Sequence, residues 1–282
     1  MALAAREGLR MSMHGVTKAS AAALSPASRF RTKAYKLDGV EDRVQMDAVA
    51  ASGVLDWDGV KKWSVSIWFK DAGVNQSSLW SMTNGINNYR WIEMYTNYSG
   101  ATGQVAFRGY ADTTHALLTS GSTLIVSSTA PNGILPNDSN WHNVTLAVDS
   151  ASGLVGGLDI YLDGALAATG NNSTRQNVGL DTLKVGVLFK NPAGAPPGYT
   201  NNSPMTVSQF SVYDDKLSSA QVASVWANGN SVDERGLTPA PVHFYRFGND
   251  GAAFPDVVDI GTGSATGRAE NMSGLEVVAE QP

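Results

Sequence analysis

From residue 34 onward the chain is dominated by short runs in which apolar and polar residues alternate. Such alternation puts one set of side chains on each face of a half-buried strand. Trp63, Val65, Ile67 and Phe69 fall on one face, Ser64, Ser66 and Lys70 on the other, with Trp68 as the exception. Over 141–149 the apolar set is Val144, Leu146 and Val148. Leu158, Ile160 and Leu162 alternate with Asp159, Tyr161 and Asp163. That run meets Asp163-Gly164, a tight-hairpin signal, before Ala165 to Ala168 return. Val185, Val187 and Phe189 predict a further strand, and Val207, Phe210 and Val212 another.

One helix is predicted over 217–226, where Val222, Val225 and Trp226 share a stripe behind a serine N-cap and Asn228-Gly229-Asn230 ends the pattern. Residues 123–140 and 190–204 read as irregular loops. Strands separated by Gly, Asn, Ser and Pro turns, without interleaved long helices, predict an all-β sandwich.

Composition narrows the chemistry. The 282 residues are 43% apolar, as a folded core requires, and hold no cysteine and four histidines. Disulfides, thiolate metal sites and thiol catalysis are excluded. No apolar run approaches the roughly 20 residues of a membrane span. The net charge of −5 is uneven: residues 1–33 carry Arg6, Arg10, Lys18, Arg29, Arg31 and Lys33 against Glu7 alone, a balance of +5, leaving −10 on the rest. A basic arm on an acidic body suggests docking on an acidic neighbour. The arm lacks the apolar stretch of a secretory signal; a mitochondrial presequence fits its composition better, as a minor reading.

Several segments carry a family likeness. Ala34 to Val44 resembles the opening strand and turn of a laminin-G-like, concanavalin A-like jelly roll, and Trp63 to Lys70 that family's next core strand. Asn140 to Leu146, then Leu158 to Gly164, resemble its central hairpin region; Ser208 to Tyr213 and Lys216-Leu217-Ser218 resemble its closing strand and helix. The likeness implies a jelly-roll β-sandwich over 34–247, with the arm at 1–33 and an extended tail at 248–282 packing on the sandwich or a neighbour. His243 to Asp250, Phe254 to Gly261 and Asn271-Met272-Ser273 resemble a tail found on laminin-G-like structural proteins of tailed bacteriophages. This second likeness implies a non-enzymatic virion component, in a capsid decoration, fibre or tail. Its partners would be other virion proteins and copies of itself, met through Arg6, Arg10, Arg29 and Arg31. The alternative is a carbohydrate-binding module or adhesin using the concave sheet or rim loops, with host-surface glycan as ligand. Neither membrane nor nucleic acid is an expected partner.

Candidate chemistry is sparse. A retaining glycosidase needs two carboxyls about 5–5.5 Å apart. The seven glutamates (7, 41, 93, 234, 270, 276 and 280) form no Glu-x-Asp-x-Glu pattern on one strand face, so an enzyme is not expected. On a strand, Trp91, Glu93 and Tyr95 would share a face, offering an aromatic platform beside a carboxylate for glycan. The plainer reading is that the rings cover the sheet and Glu93 is solvated at its edge. No cofactor is expected. Calcium, which takes six to eight oxygen ligands, is the one ion considered, since Asp56, Asp58, Asp149, Asp214 and Asp215 are available without any recognisable spacing. His142 reads as a satisfied structural histidine, no Ser/His/Asp set can be singled out, and Gly261 to Gly267 reads as a flexible turn.

Overall fold

In a computed structural model, the residues described are 33–55, 62–70, 72, 77–84, 91–96, 104–110, 125–126, 138–149, 157–170, 180–190, 198–200, 204–248, 254–272, 277–279 and 282. The strands begin with β1 (Ala34–Leu37), β2 (Arg43–Gln45), β3 (Lys62–Lys70), β4 (Ser77–Thr83), β5 (Trp91–Thr96) and β6 (Val105–Tyr110). They continue with β7 (Ile125–Val126), β8 (His142–Asp149), β9 (Leu158–Leu162), β10 (Ala165–Gly170), β11 (Thr182–Val185) and β12 (Leu188–Lys190). The last are β13 (Gly198–Thr200), β14 (Met205–Tyr213), β15 (His243–Arg246), β16 (Asp256–Val257), β17 (Gly267–Glu270) and β18 (Val277–Val278). Two helices, α1 (Asp47–Ala51) and α2 (Ser219–Trp226), and a 3-10 turn at Glu234–Gly236 complete the set.

Sixteen of these strands form two antiparallel sheets, a jelly-roll β-sandwich of the concanavalin A type, and β12 and β13 pair separately as a two-stranded ribbon. One sheet runs β10-β9-β8-β3-β14-β1-β18, with β15 also bordering β14; the other runs β16-β17-β2-β11-β4-β5-β6-β7. The segment beyond residue 248 supplies β16 and β17 to one sheet and β18 to the other. Between them lies a single apolar core. Val65, Ile67 and Phe69 meet there with Trp80, Met82, Ile92, Met94 and Phe107, and with the alternating sets of β8 and β9, as their two-residue period dictates.

The outer face of the first sheet is sealed. Ala147, Tyr161 and Tyr213 pack against Leu217, Val222 and Val225 of the helical segment. Trp68, which broke the alternation, points to this side and stacks on Trp226 with ring centroids 5.1 Å apart. Such a pair contributes about 0.5–1.5 kcal/mol beyond its buried area. Ser218 caps α2 reciprocally with Gln221. Glu234, fully buried, receives hydrogen bonds from Gln209 Nε2 and from the Tyr213 hydroxyl, the latter at 2.5 Å.

Four expectations need correction. Val185, Val187 and Phe189 are not one strand, because β11 ends at Val185 and the chain turns at Gly186 with φ +92°. A Cβ there would lie 2.3 Å from Leu37 Cδ1. Residues 190–204 are not wholly irregular, since β13 returns to pair with β12. Residues 123–140 likewise hold β7, which pairs with β6. The Gly261 to Gly267 segment is a close-packed turn: a Cβ on Gly261 would sit 2.4 Å from the Val242 carbonyl oxygen, and one on Gly263 2.5 Å from the His243 ring.

Candidate functional site

The outer face of the second sheet carries the functional candidates. Val44, Leu183, Met82, Ile92, Phe107 and Ala269 point into the core, so their strand neighbours point out. Pairing aligns those neighbours in one row across six strands. Arg268 lies opposite Gln45, Gln45 opposite Lys184, Lys184 opposite Ser81, Ser81 opposite Glu93, and Glu93 opposite Arg108. Opposed side chains in a sheet lie about 4.5–5.5 Å apart at Cβ, so the row is one polar stripe.

At the β5–β6 end the stripe is closed. Arg108 contacts Glu93 Oε2 through Nη2 at 2.9 Å and Nε at 3.0 Å. Its guanidinium carbon sits 5.0 Å from the Trp91 ring centroid and 4.4 Å from that of Tyr95. Trp91, Glu93 and Tyr95 do share a face, as alternation requires, but they are 4%, 0% and 0% exposed. The rings flank a guanidinium rather than forming an open platform, and Glu93 is buried under Arg108 rather than solvated at an edge. A carboxylate removed from water needs a partner of opposite charge, and Arg108 supplies it with a two-nitrogen fork.

The middle of the row is half-closed. The Ser81 hydroxyl donates to the Val187 carbonyl at 2.7 Å, where the segment after Gly186 folds back over β4. Burial depresses the pKa of Lys184, against the opposing pull of Asp47, and Arg43 adds to the depression.

At the β17 end the row opens. Arg268 is exposed, and two clefts meet at its side chain and that of Glu270. One, of about 440 Å³, is walled by Arg43, Phe254, Pro255, Asn271 and Met272; the other, of about 330 Å³, by Gln45, Asp47, Asp256 and Thr266. Arg43 pairs with Glu270 at 2.5 Å, and Gln45 donates to Asp47, so the walls are tied in place. Phe254 packs edge-on against Tyr35. Sequence reasoning missed this region. Its only signal was a polar residue at every second position of 43–47 and 268–270, in segments too short to show a period.

Two histidines are held by carboxylates away from this face. His142 bridges Asp163 (2.8 Å at Nδ1) and Asp138 (2.9 Å at Nε2), the structural role the sequence suggested. Burial opposes its protonation, but the hydrogen bonds and charges of Asp163 and Asp138 prevail and raise its pKa. His243 Nδ1 meets Asp259 Oδ2 at 2.7 Å, and its Nε2 lies 3.2 Å from Ser52 Oγ. This Ser–His–Asp chain is committed elsewhere. The Ser52 hydroxyl donates to the Val49 carbonyl at 2.6 Å, and Asp259 also accepts the backbone N–H groups of Phe244, Gly261 and Ala265. Burial alone would raise the Asp259 pKa, yet these four donors bring it below the usual carboxylate range. The chain fastens the 259–265 turn onto β15.

The remaining sequence candidates are dispersed. Arg6, Arg10, Arg29 and Arg31 lie outside the described residues, as do Asp56 and Asp58. Asp149 faces Lys62 at 3.6 Å, while Asp214 and Asp215 are exposed. Among the described residues no group of three or more His, Asp or Glu could hold one metal ion.

No family model matches the chain, and no curated protein matches it in sequence. Solved structures do resemble it. A putative carbohydrate-binding protein from Bacteroides ovatus aligns over 89% of this chain and 60% of its own, with a TM-score of 0.52 at 13% identity. The NanB sialidase of Streptococcus pneumoniae, as its K499G mutant, aligns over 71% of this chain and 28% of its own, with a TM-score of 0.50 at 13% identity. A heptameric SAP-like pentraxin from Limulus polyphemus aligns over 70% and 82%, with a TM-score of 0.46 at 16% identity. The likeness is one of fold.

Proposed function

We propose that this chain is a non-enzymatic carbohydrate-binding module that holds glycan on the outer face of its second sheet. One observation carries the reading: the polar row, buried from Lys184 to Glu93, reaches the surface at Arg268, where two clefts meet beside Glu270. Sugars offer hydroxyls that both donate and accept, and planar Arg, Gln, Asn and carboxylate groups satisfy them in pairs. The resemblance to a putative carbohydrate-binding protein supports the same reading, with fold-level weight only. Binding runs through side chains alone and needs no cofactor. Affinity electrophoresis of the full chain through gels containing soluble polysaccharides tests it. Retardation by at least one polysaccharide is expected, and unchanged mobility across a panel of neutral and acidic polymers overturns it.

The charge asymmetry supports an arm that docks on an acidic neighbour, and the likeness of the 243–273 segments to phage structural proteins implies a second, compatible role as a virion component with Arg6, Arg10, Arg29 and Arg31 as its contacts. Removing residues 1–33 and weighing the assemblies formed tests that role. Loss of self-association or particle binding supports it, and unaltered behaviour excludes the arm as anchor.

A further inference from the structure

The two clefts follow each other along β17. The larger lies at its C-terminal end beside Asn271 and Met272, the smaller at its N-terminal end beside Thr266 and Gly267, with Arg268 and Glu270 common to both. β17 itself, Gly267 to Glu270, spans about 10 Å at the rise of an extended strand, and the chain turns after it at Asn271, whose φ is +59°. A single sugar ring would fill one end and leave the other empty.

The two ends differ in chemistry. The larger cleft sets Phe254, Pro255 and Met272 beside Arg43, Arg268 and Asn271, so an apolar wall stands next to hydrogen-bonding groups. Such a wall accepts the C–H face of a sugar ring while its hydroxyls meet the polar side. The smaller cleft has no aromatic wall; it places Asp47, Asp256 and Glu270 around Arg268 alone. Glu270 is offset by Arg43, and Asp47 by Lys184 beside it, which leaves Asp256 as the exposed carboxylate here: neutral hydroxyls can donate to it, whereas a ligand carboxylate or sulfate against it would be repelled.

From this geometry we infer that the paired clefts bind a neutral linear oligosaccharide laid along β17, with Arg268 between two successive stretches of the sugar chain. The inference rests on the carbohydrate-binding reading above and names the ligand class for that site. It makes Arg268 the shared anchor, Phe254 the stacking surface and Asp256 the group that selects against acidic glycans.

Calorimetry with the full chain tests it. The probes are neutral linear hexasaccharides of glucose, xylose, mannose and galactose, their monosaccharides and disaccharides, and hexasaccharides of galacturonate. At least one neutral hexasaccharide should bind, with its disaccharide weaker by about tenfold or more, and galacturonate should not. Arg268→Ala should weaken the hexasaccharide about tenfold, the loss of one charged hydrogen bond, while Arg235→Ala on the opposite side leaves it unchanged. Asp256→Asn should narrow the gap between neutral and acidic ligands. If no sugar in either class binds and no polysaccharide retards the chain, the carbohydrate reading itself falls. If glycans bind but a monosaccharide or galacturonate binds as tightly as the neutral hexasaccharide, or if Arg268→Ala is silent, this inference fails and the broader function stands.

Discussion

Arg108 of β6 lies directly across from Glu93 of β5 and contacts one of its carboxylate oxygens through two nitrogens, at 2.9 and 3.0 Å. With Trp91 and Tyr95 flanking the guanidinium, the pair is a rigid charged plug in the outer face of the sheet. Breaking a buried pair by deleting one partner leaves the other charge unpaired, a cost of about 3–5 kcal/mol. Arg108→Met should therefore lower the urea midpoint strongly, and Arg108→Met with Glu93→Leu should recover most of the loss. A double variant no more stable than the single one would show that the ion pair itself holds the sheet together.

His142 makes stability depend on pH. Its folded pKa is raised by Asp163 and Asp138 above the usual value of 6.5. The folded state therefore holds its proton more tightly than the unfolded state, and that stabilisation is complete below about pH 6.5. It is lost as pH rises through the folded pKa. Thermal melts across this range should show a falling Tm in the native chain and a flatter profile in His142→Gln, and equal slopes would remove His142 from the account.

Asp259 acts in the opposite direction. Its folded pKa is depressed by His243 and three backbone amides, so its contribution is present above the usual carboxylate value and vanishes as pH falls through the folded one. Asp259→Asn should cost about 1–3 kcal/mol at neutral pH, since an amide replaces a carboxylate facing four donors. The same variant should flatten the acid side of the stability profile.

Ser52 should be unreactive despite its place beside His243 and Asp259. Its hydroxyl donates to Val49, and mass spectrometry after treatment with a fluorophosphonate should find no adduct at Ser52. Labelling at that residue would reopen the case for hydrolysis.

Gly186→Ala should destabilise the fold by about 1–3 kcal/mol, because the left-handed backbone and the Leu37 side chain both oppose a Cβ. A midpoint unchanged from that of the native chain would mean that β11 and β12 can be joined by an ordinary residue.

Much of the architecture was legible along the chain. The alternating sets of β3, β8 and β9 all point into the inter-sheet core. Asp163-Gly164 forms the tight turn, with φ +53° and +77°. In each case the signal is local: a period of two fixes which side chains share a face, and left-handed backbone favours glycine. The same rule correctly put Trp91, Glu93 and Tyr95 on one face. It was silent on whether that face is open, because Arg108 arrives from a neighbouring strand.

The sequence by itself determined the all-β class, the inward faces of β3, β8 and β9, the capped helix after residue 217 and the charge contrast between arm and body. Only the tertiary structure decided the row from Arg268 to Arg108, the burial of Glu93 and the clefts along β17. The row joins residues from position 45 to position 268, and its register follows from how two sheets pack their apolar faces and where bulges shift the pairing. No window of neighbouring residues contains that information, since the forces that set it act between strands distant in sequence.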